Sequence, residues 1–233
     1  MKQPVCRKDQ EFYRLIPSRF PPVDVYERLR APELRATAKA LEEDTNPRLA
    51  AKKRAVGGDH SMESSPQYQN WNHAPFAYKS PYGSFLLSRV HGVLEASEDR
   101  ISALAFAVLR REEFLGATGE APISLDMRML VTKITGRFAD LTNLDLDIQE
   151  SDRWKIGQSL LDENQQGAIF RRPGFGEAKF IAVFDNEVLG PSTQAEHYRF
   201  VWDGKKITKI FNFSTDKTID RESLFLLTRK VAA

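Results

Sequence analysis

The chain has 233 residues, 41% of them hydrophobic and 28% charged, with 34 basic and 32 acidic side chains for a net charge of +2. A chain of this length buries roughly 70% of the surface it would expose unfolded, so it needs no disulfide or metal staple. The single cysteine, Cys6, excludes an intrachain disulfide and favours a reducing compartment. The near balance of charge predicts no electrostatic partner, and direct nucleic-acid binding, which needs clustered positive charge, is not expected. Arg48, Lys52, Lys53 and Arg54 are the nearest approach to such a cluster and read as one solvated helix face.

The start, MKQPVCRKDQEFYRL, has no apolar core of signal-peptide length, and the longest aliphatic-rich run, Ile101 to Leu109, is too short to cross a bilayer. A cytoplasmic location is therefore expected. Residues 12–20, FYRLIPSRF, open as a strand and end at the helix-hostile Pro21-Pro22. From Asp24 to Glu43 the apolar residues fall at helical spacing, with Pro32 starting a second helix. Residues 56–69, VGGDHSMESSPQYQ, read as a loop.

A longer helix follows around 103–118, ALAFAVLRREEFLGAT. Ile101, Leu104, Ala105 and Val108 form its apolar stripe, and Phe106 lies off it, about 140° from Ile101 at 100° per residue. The second half turns to strands: Asp126–Val131, Phe138–Leu141, Gly167–Phe170 and Lys179–Phe184. Residues 198–211 form two alternating runs around Asp203-Gly204, a tight hairpin signal. Asp220–Lys230 reads as a final helix. The order predicts a single α+β domain over 1–233, a mixed β-sheet core with flanking helices.

The usual catalytic spacings are missing. The sequence holds no HExxH or paired CxxC for zinc, no GxSxG elbow and no GxxxxGK[ST] phosphate loop. Gly174-Phe175-Gly176 reads as a turn rather than a nucleotide loop, and His60, His73, His91 and His197 are scattered singly. No metal or bound cofactor is expected.

Four blocks go further: FYRLIPSRFPPVDVYERL, NWNHAPFAYKSPYGS, GVLEASEDRISALAFAVLRREEFLGATGEAPISLDMRML and GAIFRRPGFGEAKFIAVFDNEVLGPSTQAEHYRFVWDGKKI. In order and spacing, from residue 12 to 207, they resemble the RES-domain family, leaving 208–233 as a C-terminal extension. The resemblance implies an ADP-ribosyltransferase-like fold and the toxin half of a bacterial toxin–antitoxin pair. It also implies NAD as substrate, consumed by hydrolysis, phosphorolysis or ADP-ribosyl transfer. The implied partner is a helix-turn-helix antitoxin or a RES paralogue, with room for a homodimer.

The chemistry of such a site asks for a carboxylate near the ribose, to stabilise the positive charge that builds as the nicotinamide bond breaks, and an arginine on the pyrophosphate. Laid on this chain, the family's arginine falls at Phe85, a tyrosine at Leu94 and again at Glu95, its glutamate at Phe106, a following histidine at Arg110 and its serine at Arg172. Arg14 and Arg19 keep the opening arginine motif. Asp99 and Glu112 are the acids nearest Phe106 on its helix, and Glu95 is the one candidate for a substitute carboxylate.

Removing one interaction made in the transition state costs about 3 kcal/mol, or ~100-fold in rate. The expectation is thus a catalytically degenerate copy that keeps the fold and a protein-binding role. The alternatives are an active NAD-degrading enzyme with a site remodelled around Arg172, Arg14 and Glu95, and a remnant with neither role.

Overall fold

Strand β1 (Val5–Pro17) is built on two-residue alternation: along VCRKDQEFYRLIP, exposed positions alternate with covered ones until the fully buried Phe12. The structure, a computed structural model, describes residues 4–18 and 70–230. The helices expected between 24 and 43, the loop 56–69, the Pro21-Pro22 break, the basic cluster at 48–54, His60 and Arg19 lie outside the described residues.

The remaining elements are α1 (Asn70–Ala77), β2 (Leu94–Ser97), α2 (Arg100–Thr118), β3 (Ile123–Leu141), α3 (Glu150–Asp162), β4 (Gly167–Arg171), β5 (Lys179–Val183), β6 (Leu189–Trp202), β7 (Ile207–Asn212), β8 (Lys217–Asp220) and α4 (Arg221–Lys230). The eight strands form one mixed sheet in the order β1-β2-β5-β4-β3-β6-β7-β8, and β1 also pairs with β3. The α+β expectation with a mixed sheet core therefore holds. Every pairing is antiparallel except β3–β4, whose crossover is α3.

The long strand β3 corrects the sequence reading, which split it into 126–131 and 138–141. Its middle, TKITGR, carries polar side chains on outward positions, and Gly136 sits where a Cβ would come within 2.8 Å of Gln166 Oε1. Backbone pairing to β1 runs through all of it, from Met127 opposite Pro17 to Ala139 opposite Val5. Four elements escaped the sequence reading: α1, whose helix contains Pro75, the four-residue strands β2 and β8, and α3. The Asp203-Gly204 hairpin joins β6 to β7 as expected, with Gly204 at φ +98°. Residues 208–230 are continuous with the rest, since β7 and β8 extend the sheet and α4 packs on α2.

The sheet separates two cores. On one face Leu94, Ala96, Phe12, Phe138 and Ile181 pack with Phe76 of α1. On the other, Ala105, Val108, Phe170, Phe180 and Ala182 pack beneath α2. Helix α2 begins at Asp99, whose Oδ1 accepts the Ser102 N–H at 2.7 Å, and ends at Gly119 in the left-handed region.

Candidate functional site: an arginine–glutamate pair in a phenylalanine box

Strand β2 decides which side chains can meet. Opposite β5, Glu95 faces Ala182 and shares its side of the sheet with the α2 core, whereas Leu94 faces Val183 and is buried in the other core. Leu94 therefore does not reach the place where its neighbour Glu95 sits. Phe85 arrives from the segment between α1 and β2. That segment turns at Gly83 (φ +71°) and is pinned by α3: Trp154 Nε1 donates to the Ser84 carbonyl at 3.1 Å and Arg153 Nε to the Phe85 carbonyl at 3.2 Å. Gly157 allows the contact, because a Cβ there would lie 1.8 Å from the Leu86 carbonyl oxygen.

Arg172 follows β4, at the start of the turn 172–178, so the Gly174-Phe175-Gly176 stretch is a turn as expected. The guanidinium of Arg172 donates through Nη2 to Glu95 Oε1 at 2.6 Å, with the two side chains 13% and 11% exposed. The same carboxylate oxygen accepts the Phe85 N–H at 3.0 Å. Around the guanidinium stand the rings of Phe106 at 4.2 Å, Phe85 at 4.8 Å, Phe170 at 5.3 Å and Phe180 at 5.4 Å. Phe85 stacks on Phe170, and Phe106 meets Phe180 and Phe175 edge to face. Burial pulls the Arg172 guanidinium below its ordinary value, with the Glu95 carboxylate pulling the other way.

Four of the positions singled out in the sequence, Phe85, Glu95, Phe106 and Arg172, thus meet in one cluster. Phe106 is not on a free face. It is the ring lying nearest the Arg172 guanidinium and packs on the core. Arg14 belongs elsewhere: strand alternation places it with Phe12, away from Tyr13 and Leu15, and its guanidinium donates to the Trp71 carbonyl of α1. Burial pushes that guanidinium down to about 10. The other acids near Phe106 have structural partners. Asp99 caps α2, and Glu112 accepts the Ile207 N–H and both arms of Arg221.

The pair and its rings separate two small cavities. One, of about 160 Å³, lies beside Phe106 between β1, β2 and α2. The other, of about 140 Å³, lies beside Phe85 and Arg172, walled by Arg153, Glu113 and Glu150. Glu95 and Arg110 line both. Neither is of the ~300 Å³ or more usual for a ligand the size of a dinucleotide. His73, His91 and His197 line neither cavity. The sequence reading missed the box itself. The signal was the 15 phenylalanines, but nothing in linear spacing says that Phe170, Phe175 and Phe180 converge on Arg172.

Among the described residues no helix is long and apolar enough to cross a membrane. No family model matches the chain. A chain in the crystal structure of the M. tuberculosis MbcT–MbcA toxin–antitoxin complex aligns over 97% of this chain and 92% of its own, at 10% identity and a TM-score of 0.45. In sequence, the uncharacterized protein y4oC of Sinorhizobium fredii strain NGR234 is 44% identical over 209 residues, 90% of each chain. At that identity and coverage, the chain belongs to the family of the Sinorhizobium fredii protein y4oC.

Proposed function

We propose that this protein is a toxin-like chain of the RES kind, with an ADP-ribosyltransferase-like fold in a single domain, that has lost NAD chemistry and acts by binding a protein partner. A helix-turn-helix antitoxin or a RES paralogue is the expected partner, in the cytoplasm. The observation that carries the reading is the Arg172–Glu95 pair inside its phenylalanine box. Phe106 stands where the resemblance expects the glutamate, and Glu95, the one candidate for a substitute carboxylate, is paired with an arginine 2.6 Å away. Pairing with a buried guanidinium offsets the charge that Glu95 could lend to a developing oxocarbenium ion, and the surrounding phenyl rings offer ribose no hydrogen bond.

Expression in a bacterial host tests this. Growth and cellular NAD should stay at the level of the empty vector, and a co-expressed antitoxin from the same operon should co-purify in a stoichiometric complex. A fall in NAD that Glu95→Gln prevents would refute the loss of chemistry. Absence of any complex with the antitoxin or paralogue would refute the binding role.

One observation favours the alternative, an NAD-degrading enzyme with a remodelled site: Glu95 lines both cavities and Arg172 borders one of them. That reading would use Glu95 Oε2, since both donors to Glu95 among the described residues fall on Oε1. It also has to do without Arg14, whose guanidinium is engaged at Trp71.

A further inference from the structure

Helix α4 has an inner side that the core explains and an outer side that it does not. Leu224 and Thr228 are fully buried, Phe225 packs beside them, and Arg221 reaches Glu112 of α2. At 100° per residue, Leu226 lies about 150° around the axis from the middle of that inner side. Leu226 is 56% exposed and its neighbour Leu227 39%. Among the described residues they are the only two consecutive large apolar side chains left exposed. A single exposed leucine is ordinary on a monomer, so the case rests on what surrounds this one.

Glu222 and Arg229 flank Leu226, one four residues before it and the other three after, each within about 60° of it around the axis. Both are exposed. Glu222 accepts from Lys206 Nζ at 3.1 Å in a pair open to solvent, which is worth little to the fold. Arg229 has no ion-pair partner among the described residues. An acid, an exposed leucine and a base in that order make a stripe complementary to itself. Place a second copy of the helix antiparallel about a two-fold axis at Leu226. Glu222, about 6 Å before the axis, then meets Arg229 of the second copy, about 4.5 Å beyond it, and leucine meets leucine. The helix dipoles oppose as well, whereas a parallel pairing would set like charge on like. The neighbouring edge of β8 offers no such match. Antiparallel self-pairing there cannot set Lys217 opposite Asp220, because opposed residues must share the same hydrogen-bonding phase.

We propose that the outer stripe of α4 is the contact through which two copies of this chain form a reversible homodimer, with Leu226 at its centre and two Glu222–Arg229 pairs at its ends. The helix lies in 208–233, beyond the blocks that carry the resemblance, and it lines neither cavity. The dimer therefore does not depend on whether NAD chemistry survives. Ten residues at 1.5 Å give a contact about 15 Å long, at the small end for a specific interface. The dissociation constant is accordingly on the order of 0.1 mM.

Sedimentation equilibrium of the purified full chain, from about 10 µM to about 1 mM, tests this, and the mass should climb from monomer toward dimer across that range. Glu222→Arg makes the stripe all basic and Arg229→Glu makes it all acidic. Each variant alone should bind itself at least about tenfold more weakly than the unmodified chain does. Mixed in equal amounts, the two variants should associate with each other, and a chain carrying both exchanges should regain its homodimer. A merely structural role for either residue would not give that pattern. Amide chemical shifts of the unmodified chain guard against a variant that fails to fold: on concentration, Glu222, Leu226 and Arg229 should move first. Four results would overturn the proposal: a chain that stays monomeric at the highest concentration, single variants that dimerise as well as the unmodified chain, a mixture no more associated than either variant, or shifts that lie away from α4.

Discussion

Two carboxylates near α2 are each held by one backbone N–H and one arginine, and the comparison turns on how many of their oxygens are used. Glu112 accepts one backbone N–H, from Ile207, and the guanidinium of Arg221, which lies over the Phe225 ring at 4.7 Å. Glu95 accepts one backbone N–H, from Phe85, and the guanidinium of Arg172, which lies among four phenyl rings. The first clasp ties β7 and α4 to α2 and borders neither cavity. The second has the same parts, deeper and more aromatic, and stands between the two cavities. The clasps differ in one respect: Glu112 accepts through both of its oxygens, whereas both donors to Glu95 converge on Oε1.

The comparison breaks most visibly if the deeper pair is cut. Arg172→Ala leaves Glu95 charged among phenyl rings, and denaturant unfolding should show a loss of about 3–5 kcal/mol. Replacing both partners by leucine should return most of it, because a buried pair exchanged for apolar groups is close to neutral. Equal loss in the single and double variants would mean that packing, not charge, dominates there. The shallower clasp should lose less: Arg221→Ala costs about 1.5–3 kcal/mol in the same assay, since Glu112 keeps the Ile207 N–H and some solvent.

Asp99, the remaining acid of the Phe106 neighbourhood, should cost about 1 kcal/mol as Asp99→Ala, the ordinary value of an N-cap. The smallest effect is on acid stability. The Thr142 hydroxyl, which donates to Asp140 Oδ1 at 2.6 Å, is the main cause that holds Asp140 below its ordinary value of 3.8. A folded value below the unfolded one gives stability that is present above pH 3.8 and is lost as pH falls through the folded value. Thr142→Val should therefore lose stability at neutral pH and show a shallower acid limb, read from unfolding midpoints between pH 2 and 6.

The sequence carried the strands whose apolar alternation is strong and the body of helix α2, though not its cap at Asp99. It hid β3's middle, where outward polar side chains and Gly136 imitate a break while backbone pairing to β1 continues. Phe85, Glu95, Phe106 and Arg172 could be singled out one by one, but not as a cluster. Their meeting depends on β2 turning Glu95 toward Ala182, and on α3 pinning the Phe85 segment through Trp154 and Arg153. Both are long-range facts without local signal. Leu94 and Arg14 show the other side of the same limit, since one step along a strand moves a residue to the opposite face.

The central claim is that Glu95, paired with Arg172 among phenyl rings, does no chemistry on NAD. Incubating the purified chain with NAD, with and without phosphate, and quantifying nicotinamide by chromatography tests it most directly. The account predicts release no faster than in buffer, both for the unmodified protein and for Glu95→Gln. Release by the unmodified protein that disappears in Glu95→Gln would contradict it.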